Sequence, residues 1–249
     1  MATDQFQPPE PITITPARPV AVASMHQRWL DLAFIHWPVA PDTVAPTLPR
    51  HVRPDMLAGT TYVGLAGLRV RTTIGPTVTV PWLGVFDEIH IRVYSVDRSG
   101  RRGAVFLSLN ADRLLTSSFA RYLLRIPYSW SPSRIVQHDD TVSYSTERRW
   151  PPGPSRIAFT VRVGQHISTL TELERFVTAR WSLHSSYLGV PIRVDVDHPP
   201  WRLHRAELVD LKLDNTFFDE LGLPAPTGAP ASVLWSPGTR SKVGLPTNI

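Results

Sequence analysis

A chain of 249 residues with 42% hydrophobic content can bury one large core, and no apolar run in it approaches the ~20 residues of a membrane-spanning helix. The absence of cysteine excludes disulfides, thiol catalysis and thiolate-held metals. The net charge of +5 rests on 24 arginines and two lysines, Lys212 and Lys242; the arginines are scattered among acids, a pattern that GC-rich codon usage explains and that argues against a nucleic-acid partner.

The chain opens MATDQFQPPEPITITPARP. It lacks the basic-then-apolar order of a signal peptide, so a cytoplasmic location and no membrane partner are expected. Residues 1–22 are rich in Pro and Thr without periodicity and read as a flexible N-terminal arm. No linker or repeat interrupts 23–235, which reads as one domain. Residues 236–249, with Pro237, Gly238, Gly244 and Pro246, read as a C-terminal tail.

Strand signals dominate in between. Trp29 to Trp37 alternates and stops at Pro38, and Thr60 to Arg71 is a long β-branched run. Val85 to Val96 and Ala104 to Leu109 flank Ser99-Gly100 and Gly103, which predicts a hairpin. Arg113 to Ile126 carries Leu115, Phe119, Tyr122, Leu123 and Ile126 on one helical stripe behind the capping residue Asp112. Strands follow at Thr141 to Arg149 and Arg156 to Val163. A second helix is predicted behind a Thr169/Glu172 capping box, with Leu170, Leu173, Phe176, Val177 and Trp181 on its stripe. Arg180 at its end suits carbonyl capping by a cation. Trp201 to Leu213 is a further strand, and a short helix over Thr216 to Leu221 stops at Gly222. Many strands and few helices predict an α+β fold, an antiparallel β-barrel or cone with peripheral helices.

Zinc spacings, the G-x-S-x-G elbow, phosphate-cradling glycine loops and dinucleotide fingerprints are absent, so neither a metal nor a cofactor is expected. The segment F-D-E-I-H-I-R-V-Y carries the strongest functional signal. Strand alternation points Glu88, His90, Arg92 and Tyr94 one way and Ile89, Ile91 and Val93 the other. Such a row is either an exposed face with a Glu–Arg cross-link or a pocket wall offering an acid/base pair and an anion-binding guanidinium. Glu88, His90, Arg92 and Tyr128 are the candidate catalytic residues. Tyr94, His36, Trp37, Tyr62 and Arg121 are the candidate substrate-binding residues. His36-Trp37 either caps a core or lines a cavity mouth, and Tyr128 after Pro127 either packs or reaches a pocket.

F-D-E-I-H-I-R-V-Y with R-R-G-A-V-F-L-S-L-N-A-D-R resembles a strand-turn-strand signature of the domain-of-unknown-function 2071 family. F-A-R-Y-L-L-R-I-P-Y, V-S-Y-S-T-E-R-R, L-E-R-F-V-T-A-R-W-S-L-H and H-P-P-W-R-L-H-R-A-E-L follow in the family's order, as do F-I-H-W-P-V and G-T-T-Y-V-G-L upstream. The resemblance implies an acetoacetate decarboxylase-like barrel with a central ligand pocket and a homo-oligomer, a homodimer being the simplest form. Glu88 matches the family's pocket glutamate. His90 stands where many members carry a small polar amide, and Val93 replaces a Thr. The decarboxylase relatives use a Schiff-base lysine, at a place corresponding to Pro127 and Tyr128. No lysine precedes Lys212, so that activity does not carry over. The expectation is a cofactor-independent enzyme, a lyase, dehydratase, isomerase or cyclase, acting on a carbonyl-bearing, largely apolar small molecule by acid/base chemistry or conformational templating. The alternatives are a non-catalytic small-molecule binding or sensing protein and a structural scaffold.

Overall fold

The computed structural model describes residues 6–74, 78–79, 84–111, 128–153 and 156–249. The first predicted helix, Arg113 to Ile126, lies outside them. Fourteen strands belong to one continuous sheet: β1 (Met25–Val39), β2 (Val52–Pro54), β3 (Thr61–Ile74), β4 (Val78–Thr79), β5 (Val85–Asp97), β6 (Arg102–Ala111), β7 (Tyr128–Trp130), β8 (Ser133–His138), β9 (Thr141–Glu147), β10 (Arg156–His166), β11 (Ser182–Tyr187), β12 (Val190–Asp197), β13 (His204–Leu213) and β14 (Ser232–Asn248). The order β1-β3-β5-β6-β11-β12-β14 closes on itself because β14 also pairs β1, giving a seven-stranded barrel. From β14 the sheet runs on through β13, β10, β9 and β8 as a second layer. Three short α-helices, α1 (Pro41–Val44), α2 (Glu172–Thr178) and α3 (Asn215–Glu220), and one 3-10 turn (Ala45–Thr47) are the helical elements of the described residues. None is long and apolar enough to cross a membrane.

Period-two alternation divides the barrel wall into two apolar sets. Outward, Ala33, Ile35, Leu65, Ile89 and Ile91 pack against Ile135, Val142, Tyr144 and Phe159 of the second layer. Inward, Leu32, Phe34, Ala66, Leu68, Phe86, Leu109 and Leu234 converge from five strands of the ring. A bulge between Leu30 and Ala33, with Asp31 at φ 51°, keeps β1 in phase with both neighbours. The Tyr144 hydroxyl donates to the Asp31 carbonyl at 2.6 Å and pins the bend. The β5–β6 hairpin turns at Gly100, φ 80°, where the Asp97 carboxylate accepts from the Ser99 and Arg101 amides.

Three sequence expectations are corrected here. Residues 236–249 are not a tail: they form most of β14, whose pairing with β1 and β12 closes the ring. Pro237 and Pro246 sit in a strand that changes partners along its length, and Gly238 takes φ 121° beside the Trp29 carbonyl. The second helix begins two residues later than expected, because T-x-x-E occurs in two overlapping frames. Thr171 and Glu174 form the box, with Glu174 Oε2 accepting from the Thr171 amide at 2.7 Å and Thr171 Oγ1 accepting from the Glu174 amide at 3.2 Å. The chosen frame buries Glu174, whose other oxygen takes Arg205 at 2.9 Å. From residue 6 onward the N-terminal arm is extended and docked: the Gln7 amide donates to the Arg98 carbonyl, and the Glu10 amide to the Gly100 carbonyl.

Candidate functional site

The polar row of β5 lies on the face that carries Phe86, Leu109 and Ala66, inside the ring. Glu88 is 6% exposed and His90 4%. His90 Nδ1 stands 2.9 Å from Glu88 Oε1. An ionised carboxylate only accepts, so Nδ1 carries the hydrogen and Nε2 presents a lone pair. Among the described residues that nitrogen is buried without a hydrogen-bond partner. Burial lowers the imidazole's pKa, the Glu88 hydrogen bond and charge raise it, and the Arg92 charge lowers it again, with a net downward shift. The imidazole is therefore neutral at physiological pH, oriented by a carboxylate and free to accept a proton. The Phe106 ring packs 4.5 Å away, brought to this face by a bulge in the β5–β6 pairing between Ile91 and Arg92.

Arg92 is half-buried. Its Nη2 donates to the Val177 carbonyl at 3.1 Å, and its guanidinium lies over the rings of Phe34 (4.9 Å) and Tyr94 (5.5 Å). Its Nε is buried, and among the described residues it has no hydrogen-bond partner and the guanidinium no carboxylate. A guanidinium held by one carbonyl and two aromatic faces retains donors for an anion. Gly64, opposite Arg92 on β3, makes room for this side chain: a Cβ there would lie 3.3 Å from Arg92 Cγ and 3.2 Å from His36 Cδ2.

Tyr94 is fully buried and donates its hydroxyl to the Val177 carbonyl at 3.0 Å. The hydroxyl accepts from His36 Nε2 at 2.7 Å, which assigns the hydrogen to Nε2 and leaves His36 Nδ1 as a buried lone pair with no partner among the described residues. Burial, then the charges of Arg92 and Arg180, hold His36 well below its ordinary pKa. Burial raises the Tyr94 phenol, against those same two arginines. Both groups are neutral.

The structure thus brings Glu88, His90, Arg92, Tyr94 and His36 to one interior face. Tyr62 packs at the edge of this group, its ring 5.8 Å from Phe176, with burial raising its phenol. Trp37 does not join them. It follows His36, so alternation sends it outward, into the core between barrel and second layer, where its Nε1 donates to the Gly228 carbonyl at 3.3 Å. Tyr128 begins β7, its backbone in register with Leu109, and its side chain is outside the described part of the structure. Arg121 also lies outside the described residues.

Sequence reasoning misses the residues that brace this face. The C-terminal carbonyls of α2 meet the barrel interior: Val177 accepts from Arg92 and Tyr94, Thr178 from Trp201 Nε1 at 3.2 Å, and Phe176 from Arg180 Nε at 2.7 Å. The last is the carbonyl capping expected of Arg180. Asp55, 1% exposed, bridges Arg180 and Arg102, and Arg180 stacks 4.7 Å over the Tyr94 ring. Arg102 Nε donates to the Glu10 carbonyl at 2.6 Å, tying the N-terminal arm to the same network. No local pattern marks Asp55; only its remoteness in sequence from Arg180 explains why it goes unread. On the outward face of β5, Ser95 Oγ lies 2.8 Å from His184 Nδ1, and Asp97 is held by Arg193 at 2.7 Å; all three groups are sealed from solvent. Both lysines, Lys212 and Lys242, are exposed, so neither places an amine inside the barrel.

A family model described as an uncharacterized conserved protein, DUF2071, matches residues 26–240. The uncharacterized protein YqjF of Bacillus subtilis (strain 168) is 27% identical over 221 residues, covering 85% of this chain and 87% of that protein. Among solved structures, the enduracididine biosynthesis enzyme MppR complexed with pyruvate superposes with a TM-score of 0.63 at 14% identity, over 90% of this chain and 89% of that one. The acetoacetate decarboxylase of Legionella pneumophila subsp. pneumophila str. Philadelphia 1 gives 0.61 at 12% identity, over 94% and 92%. At these identities the likeness establishes the fold. The chain belongs to the DUF2071 family and has the acetoacetate decarboxylase-like fold.

Proposed function

We propose that this protein is an enzyme that binds a small carbonyl-bearing acid inside the barrel and moves a proton next to its carbonyl, without a Schiff-base lysine and without a cofactor. The observation that carries this reading is the buried Nε2 of His90, which has no partner among the described residues and is oriented by Glu88 through Nδ1. An orphaned buried lone pair costs stability unless something else uses it. Two positions along the same strand, the free donors of Arg92 suit a carboxylate or an enolate. The proton on the carbon next to the carbonyl passes to His90 Nε2, and the bonding pair shifts to the carbonyl oxygen as an enolate. Return of the proton to another position, loss of a leaving group, or attack on a second carbonyl would give an isomerase, a dehydratase or lyase, or a cyclase. Apolar neighbours such as Phe34, Phe106 and Leu109 favour a substrate with an apolar body. The similarity to a protein crystallised with pyruvate supports a 2-oxo acid as the first compound to try.

The test is exchange of the pyruvate methyl protons in D2O, followed by proton NMR. The wild-type protein accelerates the loss of the methyl signal. Glu88→Gln and His90→Gln slow it by about 10²-fold, within the span of general base catalysis, while pyruvate still raises the melting temperature. Binding without exchange, for pyruvate and larger 2-oxo acids alike, would instead support the non-catalytic binder. Absence of binding by any of them would remove the reading.

A further inference from the structure

Three arginines stand side by side on the outer wall of the barrel. Arg28 of β1 pairs in register with Arg71 of β3 on one side and with Arg240 of β14 on the other. Residues directly opposite in neighbouring strands project to the same face. This face is the outer one, since the flanking Trp29 and Val70 belong to the inward apolar set. All three arginines are exposed, and the next rung adds exposed Lys242 opposite His26. With strands ~4.8 Å apart, three guanidinium-bearing positions fall within about 10 Å.

Like charges directly opposite in a sheet are destabilising. Several other arginines have carboxylate partners: Arg69 takes Asp87 and Asp31, Arg101 and Arg193 take Asp195, Arg162 takes Glu207, and Arg205 takes Glu174, whereas others such as Arg134 and Arg156 form no ion pair among the described residues but do not stand in a row. Among the described residues, Arg28, Arg71, Arg240 and Lys242 form no ion pair. Asp31, whose charge reaches Arg71, is held by Arg69, and Asp197 stands in register with Lys242 at the border of the row. Like charges therefore face one another along the row, and no ion pair among the described residues offsets their repulsion.

We propose that the Arg71–Arg28–Arg240 row is a docking surface for an acidic polypeptide face, one that presents several carboxylates to the three guanidinium forks. A convex sheet surface does not enclose a small anion. Among the described residues, no Phe, Tyr or Trp of β1, β3 or β14 stands in register with the row to stack a base, as single-stranded nucleic acid requires, and the His26 ring lies one rung away. Asp31, Asp87 and Asp197 flank the row and repel the long phosphate run of a duplex. A compact set of carboxylates fits between those borders and engages arginine through paired hydrogen bonds. The surface is separate from the barrel interior and does not depend on the reaction proposed for it.

The experiment uses a fluorescein-labelled octaglutamate peptide and follows anisotropy on the full chain at low ionic strength. The peptide binds, and added salt weakens it. The variant Arg28→Thr/Arg71→Thr/Arg240→Thr binds at least tenfold more weakly, with its melting temperature unchanged or raised, because the repulsion is gone and threonine suits an exposed strand. A charge-matched control on the second layer, Arg134→Thr/Arg156→Thr/Arg162→Thr, keeps wild-type affinity. Equal loss in both variants would reduce the effect to net charge. A 20-base-pair DNA duplex or inorganic phosphate binding as tightly as the peptide would replace the acidic partner with a phosphate ligand. Loss of folding in the row variant, or in Arg28→Thr alone, would make the row structural. Each of these results overturns the proposal.

Discussion

Gly64 and Gly67 lie three residues apart on β3 and face opposite sides of the barrel wall, so the same substitution separates site from fold. At Gly67 a Cβ would sit 2.5 Å from Tyr144 Cδ1 and 3.0 Å from Phe159 Cζ. Those rings stack at 4.6 Å and 11°, and the Tyr144 hydroxyl is tied to Asp31, so neither can give way. Gly67→Ala therefore costs about 3 kcal/mol, the upper end of ordinary overpacking. At Gly64 the Cβ would lie 3.2 Å from His36 Cδ2 and 3.3 Å from Arg92 Cγ. A shift of a few tenths of an ångström relieves this, and the Arg92 chain is long enough to make it. That cost of about 1 kcal/mol is offset by the ~0.5–1 kcal/mol gained when glycine leaves a strand. Gly64→Ala is expected to keep the wild-type urea midpoint while moving Arg92 away from Val177, so that pyruvate no longer raises the melting temperature. Gly67→Ala is expected to lower the midpoint strongly, with binding retained in the fraction that folds. Equal destabilisation by both, or wild-type binding in Gly64→Ala, would refute this division of the wall.

Acid should weaken the fold through its buried histidines. Burial, ahead of the opposing Asp97 charge, pulls His184 down to about 4, so between pH 6.5 and 4 the unfolded chain binds a proton the folded chain refuses, and stability falls as pH falls. The loss attributable to His184 by pH 4.5 is about 2.5 kcal/mol, and His36, His90 and His198 shift the same way and add to it. Asp97 is itself held below the ordinary carboxylate range, so its own stabilisation persists through this window. Urea titrations across the range should show a shallower decline for His184→Asn, which keeps a partner for Ser95; parallel curves would contradict it. Deleting residues 236–249 removes most of β14 and opens the ring, so the truncated chain should lose cooperative unfolding; an unchanged calorimetric transition would show that closure is dispensable.

The row on β5 was legible because its pattern is local. Charged and aromatic residues alternate with Ile and Val over one strand, and a period of two fixes the face. The same rule separates His36 from Trp37, which cannot both face the interior. What was not legible depends on chain closure. Val177, which receives both Arg92 and Tyr94, lies more than eighty positions downstream, and no spacing in the sequence announces that α2 ends inside the barrel. β11 and β12 escaped because S-L-H-S-S-Y and V-P-I-R-V-D-V-D mix polar residues into both faces, as strands whose two sides are both partly covered do. β14 escaped because Pro and Gly mimic a loop, while its order comes from pairing with β1 and β12 rather than from propensity.

The most direct measurement is a crystal structure of the protein with whichever 2-oxo acid raises its melting temperature most. The account predicts the carboxylate within hydrogen-bond distance of Arg92 Nε and the carbon beside the carbonyl facing His90 Nε2. A ligand seated outside the ring, or inside it with both of those nitrogens still unpartnered, would contradict the account.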